Sequence, residues 1–239
     1  MTSKPLFSWS TYRIVLCPLR RCLLALLFGV LSPTVTGQVS IVDENTQLPD
    51  YSGYYEGVDA LDAGDYETAI REFTLSAESG LSVAQFNLGV MYFTGNGVAR
   101  DYEQAYHWMR RAAEQGHVNA QFNLGTLYYN GLGMQPQWMS YWPLALINRQ
   151  QNLREAERWY QMAADQDHGE AQYYLATMYE AGYGVKRDLA EAWFWARLAY
   201  DNEIAGAQTV QSTLEQDLTP EQLAIAQRRY AEWVLAHRN

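Results

Sequence analysis

Cysteine is nearly absent from this chain. The 239 residues contain two, Cys17 and Cys22, and both lie within the first 37 positions. Once that stretch is set aside, disulfides, thiolate metal sites and a cysteine nucleophile are all excluded. Positive charge is also scarce, with 17 Lys and Arg against 27 Asp and Glu and a net charge of −10. Residues 1–37 hold four of those bases and no acid, so without them thirteen bases face 27 acids and the net charge is −14. So acidic a surface repels a phosphate backbone, and no basic cluster interrupts it. Nucleic acid is therefore not an expected partner, whereas long-range steering favours cationic ones. Catalytic signatures are missing too. There is no H-E-x-x-H, no G-x-S-x-G and no Walker sequence.

The N-terminal stretch reads as a secretory signal. Lys4, Arg13, Arg20 and Arg21 form a basic region, an apolar run follows over 22–31, and small residues close the segment in "TVTG". Cleavage is expected after Gly37, with Val35 and Gly37 in the small-residue positions. The apolar run falls well short of the roughly 20 residues that span a bilayer. A retained membrane anchor is the alternative, and the adjacent Arg20–Arg21 pair faintly resembles a twin-arginine export signal. The mature chain is thus expected to be exported, periplasmic or secreted, with membrane contact ending when the signal is removed. Residues 38–53 are polar, contain Pro49 and Gly53, and read as an irregular lead-in.

What the chain does contain is repetition. "AQFNLGVMYFTGNGV" at 84–98 returns as "AQFNLGTLYYNGLGM" at 120–134 and, more loosely, as "AQYYLATMYEAGYGV" at 171–185. The first step is 36 residues and the second 51. Leu88, Leu124 and Leu175 share a position, as do Trp108, Trp159 and Trp195 further along. A partial copy, "GDYETAIREFTLSAESG", precedes them.

Each unit reads as two helices. In the first, Ala84, Leu88, Met91 and Tyr92 recur at spacings of three and four and form one apolar stripe. Gly95 can close it in the left-handed conformation. The second starts near Asp101, a capping carboxylate, presents Ala105, Trp108, Met109 and Ala112, and ends at Gly116. Small residues sit mid-helix at Gly89, Gly125 and Ala176, where glycine costs about 1 kcal/mol, so a partner helix is expected to cross there. Asp167 and Glu203 stand where Gly116 stands; Asp167, and Asn202 beside Glu203, are expected to supply the left-handed residue. Neither helix of a unit can bury its apolar surface alone, so units must stack and be capped at the ends. The C-terminal cap is read at 219–239. Thr219, Pro220 and Gln222 make a capping box, Leu223, Ala226, Tyr230, Trp233 and Val234 the apolar face, and Arg228, Arg229 and Arg238 the wet side.

The pattern A-x-x-x-L-G-x-x-Y-x-x-G-x-G-V-x-x-D-x-x-x-A-x-x-W-x-x-x-A-A-x-x-G closely resembles the Sel-one-like repeat, a branch of the tetratricopeptide-repeat superfamily. A half unit fits at 54–80 and three units fit at about 82–117, 118–168 and 169–204, within a repeat region of 54–218. The resemblance implies an all-α fold, a right-handed α-solenoid of antiparallel helix pairs with a C-terminal capping helix. It also implies first helices that line a concave face, a role as an adaptor for other proteins, and the frequent occurrence of such repeats in bacterial envelopes.

Two stretches are candidate binding surfaces. The long step places an insertion at 135–150, read as part of the turn between the helices of the second unit. It is apolar and aromatic, with Trp138, Tyr141 and Trp142, and it must either fold back onto the solenoid or bind a partner. Membrane-surface contact is disfavoured, because the insertion has no lysine and only Arg149. The second stretch is a stripe rotated away from the buried leucines of the first helices: Phe86, Val90 and Phe93, then Phe122, Thr126 and Tyr129, then Tyr173, Thr177 and Glu180. Such rows can hold a peptide or helix of another envelope protein, or pack between units.

Catalytic residues, metal ligands and cofactors are not expected. Of the four histidines, His117 and His168 occupy one repeat position and read as turn residues. The GxG segments follow helices and make turns, unlike phosphate loops. The expected function is a non-catalytic scaffold of the cell envelope. Two alternatives are ligand binding or hydrolysis on β-lactam or peptidoglycan-type substrates, and a structural subunit of an envelope polysaccharide assembly. Cysteine-rich exported relatives are associated with β-lactams, and this chain lacks those cysteines.

Overall fold

The computed structural model describes residues 51–133 and 144–238, with only the backbone of 144–147. The stretch 1–37, the lead-in up to residue 50, and Trp138, Tyr141 and Trp142 lie outside the described residues. Among the described residues there are ten helices and no strand. They are α1 (Ser52–Asp62), α2 (Tyr66–Glu78), α3 (Ser82–Thr94), α4 (Tyr102–Glu114), α5 (Val118–Asn130), α6 (Leu144–Ala164), α7 (Gly169–Ala181), α8 (Leu189–Asp201), α9 (Ala207–Asp217) and α10 (Pro220–His237). From α1 to α9 each helix packs on the one before and the one after, α7 also touches α9, and α10 turns back onto α8. This nearest-neighbour pattern is an all-α solenoid. None of the described helices is long and apolar enough to cross a membrane.

The second helix of each regular unit starts on an aspartate. Asp65 accepts from the amide of Thr68, Asp101 from Glu103 and Gln104, and Asp188 from Ala190 and Glu191. These bonds satisfy amides that the first turn leaves without partners. In the second unit that position is Asn152, and it lies inside α6, which begins eight residues earlier at Leu144. Residues 144–151, "LALINRQQ", contain no glycine or proline and are mostly good helix formers, so the helix runs through the old start site. Part of the insertion therefore differs from the turn read in the sequence, because it lengthens α6 at its N-terminal end.

Small residues set how closely the two helices of a unit approach. A Cβ added at Gly89 would meet Met109 Cγ at 2.8 Å, and one at Gly125 would meet the Tyr160 ring at 2.7 Å. Met109, Tyr160 and Ala196 occupy one repeat position on α4, α6 and α8. Where the first helix has glycine, the second presents a large side chain; where it has Ala176, the second presents Ala196, and both alanines are fully buried. The leucines of the repeat complete these cores, with Leu88, Leu124 and Leu175 at most 1% exposed. Burying one such side chain contributes about 1.5–3 kcal/mol, which is why stacking outweighs the glycine cost.

The ends differ from the sequence reading in four ways. α1 begins at Ser52, inside the stretch read as lead-in, and with α2 it forms a complete helix pair where a half unit was read. α9 fills 207–217, between the last unit and the cap, where the sequence reading names a repeat region but no helix. Asp167 does take a left-handed φ of 63°, but at the next junction Glu203 itself does so at 58°, while Asn202 stays at −87°. Asn202 is occupied otherwise, because its amide donates to Asp167 Oδ1 at 2.8 Å and to Gln172 Oε1 at 2.9 Å.

The fourth difference concerns the arginines of α10. Arg229, with its side chain 43% exposed, is also engaged beneath: its guanidinium lies 4.3 Å from the centre of the Phe194 ring and pairs with Glu191 on α8. Arg238 donates to both Asp167 oxygens, at 2.8 and 3.2 Å, and bonds Asp201 at 3.5 Å, where Tyr230 also donates at 2.6 Å. The capping box itself is present as read, with Thr219 and Gln222 bonded in both directions. The cap thus covers α8 with Leu223, Ala226, Tyr230 and Trp233 and pins its ends with charge.

The second glycine of each GxG pair is the tight one. Gly131 and Gly133 both have left-handed φ, 68° and 76°. Among the described residues a Cβ at Gly131 would find only Asn152 at 3.8 Å, whereas one at Gly133 would sit 2.0 Å from the Tyr102 carbonyl oxygen of α4. Gly131→Ala should therefore cost about 1–2 kcal/mol for the backbone conformation alone. Gly133→Ala should cost clearly more, because it also forces apart the two units. Urea midpoints of the two variants measure the difference.

Candidate partner-binding face

The first helices are held to the preceding second helices by a glutamine the sequence reading passed over. Gln85, Gln121 and Gln172 are at most 1% exposed and occupy one repeat position. Each donates its amide to a carbonyl in the last turn of the preceding second helix: Ala77 at 3.0 Å, Ala113 at 3.3 Å and Ala164 at 3.3 Å. Each also accepts from the amide side chain that ends the following second helix, Gln115 at 2.8 Å, Gln166 at 2.7 Å and Asn202 at 2.9 Å. One buried side chain thus ties three successive helices and satisfies a helix-terminal carbonyl. The signal was present as the repeated "AQ" that opens each copy.

A second link is aromatic. Phe86 stacks on His117 with ring centres 4.6 Å apart, and Phe122 on His168 at 4.7 Å. These histidines do more than make a turn. Each caps the next first helix, with Nδ1 accepting from the amide of Ala120 at 3.2 Å or Ala171 at 3.3 Å. An imidazole can accept there only while Nδ1 is unprotonated. Burial lowers the affinity of both rings for a proton; for His168 the Glu170 carboxylate, 3.5 Å away, works in the opposite sense without reversing it.

The candidate residues of the stripe fall into two groups. Phe86 and Thr126 are buried, and the Thr126 hydroxyl bonds Tyr160 at 3.2 Å and the Phe122 carbonyl at 3.1 Å. Phe122 packs on Tyr160 and Tyr174 as well as His168. These three residues serve the packing between units. Val90, Phe93, Tyr129, Tyr173, Thr177 and Glu180 remain half-buried on the outer side of the first helices. Phe93 meets Tyr102 edge-on at 5.6 Å, and the Thr177 hydroxyl bonds the Tyr174 carbonyl at 2.8 Å.

Two further residues complete this face, Tyr160 and Tyr174. Tyr160 of α6 passes over Gly125 into the space between α5 and α7, where it stacks on Tyr174 at 5.1 Å and lies against Tyr129 at 6.5 Å. Tyr129 and Tyr174 meet edge-on at 6.0 Å, and Tyr173 meets Tyr174 at 6.2 Å. Burial raises the pKa of Tyr160 and of Tyr174, so these two hydroxyls are uncharged at neutral pH. A half-exposed apolar ledge edged with hydroxyls can grip a polypeptide. It offers no nucleophile–base pair. Among the described residues, no group of three or more His, Cys, Asp or Glu is placed to hold a metal ion.

The sequence model of the Sel1 repeat matches residues 82–117, 118–137, 139–168 and 169–203. No curated protein sequence matches the chain. Among solved structures, one similar chain is a protective antigen present in uropathogenic Escherichia coli strains that displays an SLR fold. It is 28% identical, with a TM-score of 0.44 over 76% of this chain and 44% of its own. This chain therefore spans less than half of that protein. Another is a Sel1 repeat protein from Oxalobacter formigenes, 29% identical, with a TM-score of 0.49 over 60% of this chain and 96% of its own.

Two outcomes are expected. Replacing Gln121 with leucine leaves the Ala113 carbonyl unpartnered and should lower unfolding free energy by about 1–3 kcal/mol in urea titrations. The histidine caps make stability pH-dependent. Their folded pKa values lie below the ordinary value of about 6.5, so as pH falls through that value the unfolded chain takes up protons that the folded chain refuses. Stability should be full above that value and fall progressively below it, towards the lowered folded values. In His117→Asn/His168→Asn, which keeps capping side chains, the decline between neutral and mildly acidic urea titrations should be smaller.

Proposed function

Because this chain belongs to the Sel1 repeat family, whose members are generally protein–protein interaction scaffolds, we propose that it is a non-catalytic adaptor of the bacterial cell envelope. It is exported on the 1–37 signal and holds another envelope protein, or a peptide segment of one, on the outer side of its first helices. The insertion 135–150 supplies a second contact for that partner. The observation that carries this reading is the half-buried ledge of Tyr129, Tyr173 and Tyr174, continuous from α5 to α7 and supported from beneath by Tyr160. Tyrosines on rigid helices are good anchors, because they lose little freedom and keep a polar tip for the solvent side.

The test is recovery of partners from envelope extract by the mature chain. Tyr129→Ala/Tyr173→Ala should weaken recovery about tenfold or more, as the loss of two interface anchors does. Deletion of 135–150, which nearly restores the 36-residue step of the first two copies, should weaken it further. Undiminished recovery by the tyrosine variant, with a circular dichroism melt like that of the parent, would remove the first-helix face from the function.

A further inference from the structure

Charge is divided between the two layers of the solenoid. None of the thirteen lysines and arginines beyond residue 48 is on α1, α3, α5 or α7; they lie on second helices, in turns, or on and just after α10. The first helices instead carry five carboxylates, Glu56, Asp59, Asp62, Glu170 and Glu180. Ring contacts follow the same division. Arg111 lies over Trp108, Arg158 over Trp159, and Arg197, Arg229 and Arg238 over rings of α8 and α10. Among the described residues no arginine lies over Tyr129, Tyr173 or Tyr174, whose ring partners are aromatic. The layer that supplies aromatic faces and carboxylates therefore carries no cation on its own helices; the turns that follow bring Arg100 to the Thr94 carbonyl at 3.4 Å and Arg187 to the Glu180 backbone carbonyl, not its carboxylate, at 2.9 Å.

On α7 these groups fall in one stripe. Glu170, Tyr173, Thr177 and Glu180 follow at spacings of three, four and three, which puts them on one side of the helix. At 1.5 Å of rise per residue the two carboxylates stand about 15 Å apart, with the tyrosine ledge between them. An extended chain covers that distance in about four to five residues. We propose that the first-helix face accepts an extended polypeptide segment with two basic side chains about five residues apart, one at Glu170 and one at Glu180, its backbone lying over Tyr173 and Tyr174. His168 does not neutralise Glu170, because burial holds that imidazole uncharged at neutral pH. The net negative charge of the whole chain steers such a segment in. This inference rests on the adaptor reading above and names the chemistry of the partner.

The direct test uses synthetic peptides and the mature chain. A glycine–serine peptide of about twelve residues with two arginines about five apart should bind at least about tenfold tighter than its glutamine counterpart, consistent with two charge-assisted and cation–π contacts. Added salt should reduce that margin, and Glu170→Gln/Glu180→Gln should abolish it. Equal binding of the two peptides, or a margin that survives the double substitution, overturns the proposal. A second experiment separates it from the adaptor reading. The photocrosslinking residue p-benzoylphenylalanine is placed at Tyr173 in the full chain, and crosslinked segments from cells are sequenced. Segments with paired bases at that spacing support the proposal. Neutral or acidic protein segments overturn it and leave the adaptor reading intact, and crosslinks to lipid or to a second copy overturn it in favour of those occupants. Absence of any crosslinked protein overturns both.

Discussion

The approach of α5 to α6 is set by one missing side chain. With no Cβ at Gly125, the Tyr160 ring lies over the α5 backbone and reaches the far side of the unit. The same crossing is made by Gly89 with Met109 and, at the same repeat positions, by Ala176 with Ala196. Everything beyond a single hairpin depends on this contact. If the helices stood further apart, the buried leucines would lose their partners, and the glutamine of each first helix could not reach the carbonyl two helix ends away. The units are alike in backbone and unlike in what fills the crossing. The second sends Tyr160 through it to the ledge of Tyr129 and Tyr174, and in the first pair Phe73 fills the same crossing over Gly57 and meets Tyr54.

The junctions between units use polar groups where an apolar contact would also fill the space. A buried glutamine costs several kcal/mol if left unbonded, and each of these has two partners from different helices. It fixes the angle of the next unit, since a small rotation would break both bonds. The histidine caps act in the same place and add a stacked ring. At the junction of α6 and α7 the pattern is joined by Asp167, which accepts from Gln172, Asn202 and Arg238. Partial burial raises the pKa of that carboxyl, yet these donors outweigh it and the group is held below its ordinary value. The cap is thus fastened by charge to that junction, while α9 and α10 cover the apolar side of α8.

Segregation of arginine onto the second helices follows from the same architecture. Their stems lie along the tryptophans at the repeat position of Trp108, Trp159 and Trp195, which shields those rings and keeps the charges wet. The first helices have no such cover. Their own sequences carry no cation, and Arg100 and Arg187 of the following turns reach only the carbonyls of Thr94 and Glu180 at their C-terminal ends.

The helix pairs, their stacking, the small-residue crossings, the aspartate caps and the capping box of α10 were all legible in the residues. Each is a local signal or a recurrence at fixed spacing, and stacking is the only way such hairpins can hide their apolar surface. The tertiary structure decided the rest. Nothing local marks Gln121 as a bridge, since its partners are 8 and 45 residues away. Asn152 could have begun a helix, as Asp101 does, and the run of helix formers before it carried α6 through instead. Glu203 takes the left-handed turn at the repeat position of Gly116 and Asp167, and Asn202, at the position of Gln115, gives its amide to Asp167 and Gln172. The repeat could say which positions are equivalent, but which of them gather into an aromatic ledge depended on Tyr160 entering from the neighbouring helix, a contact that exists only once the helices have packed.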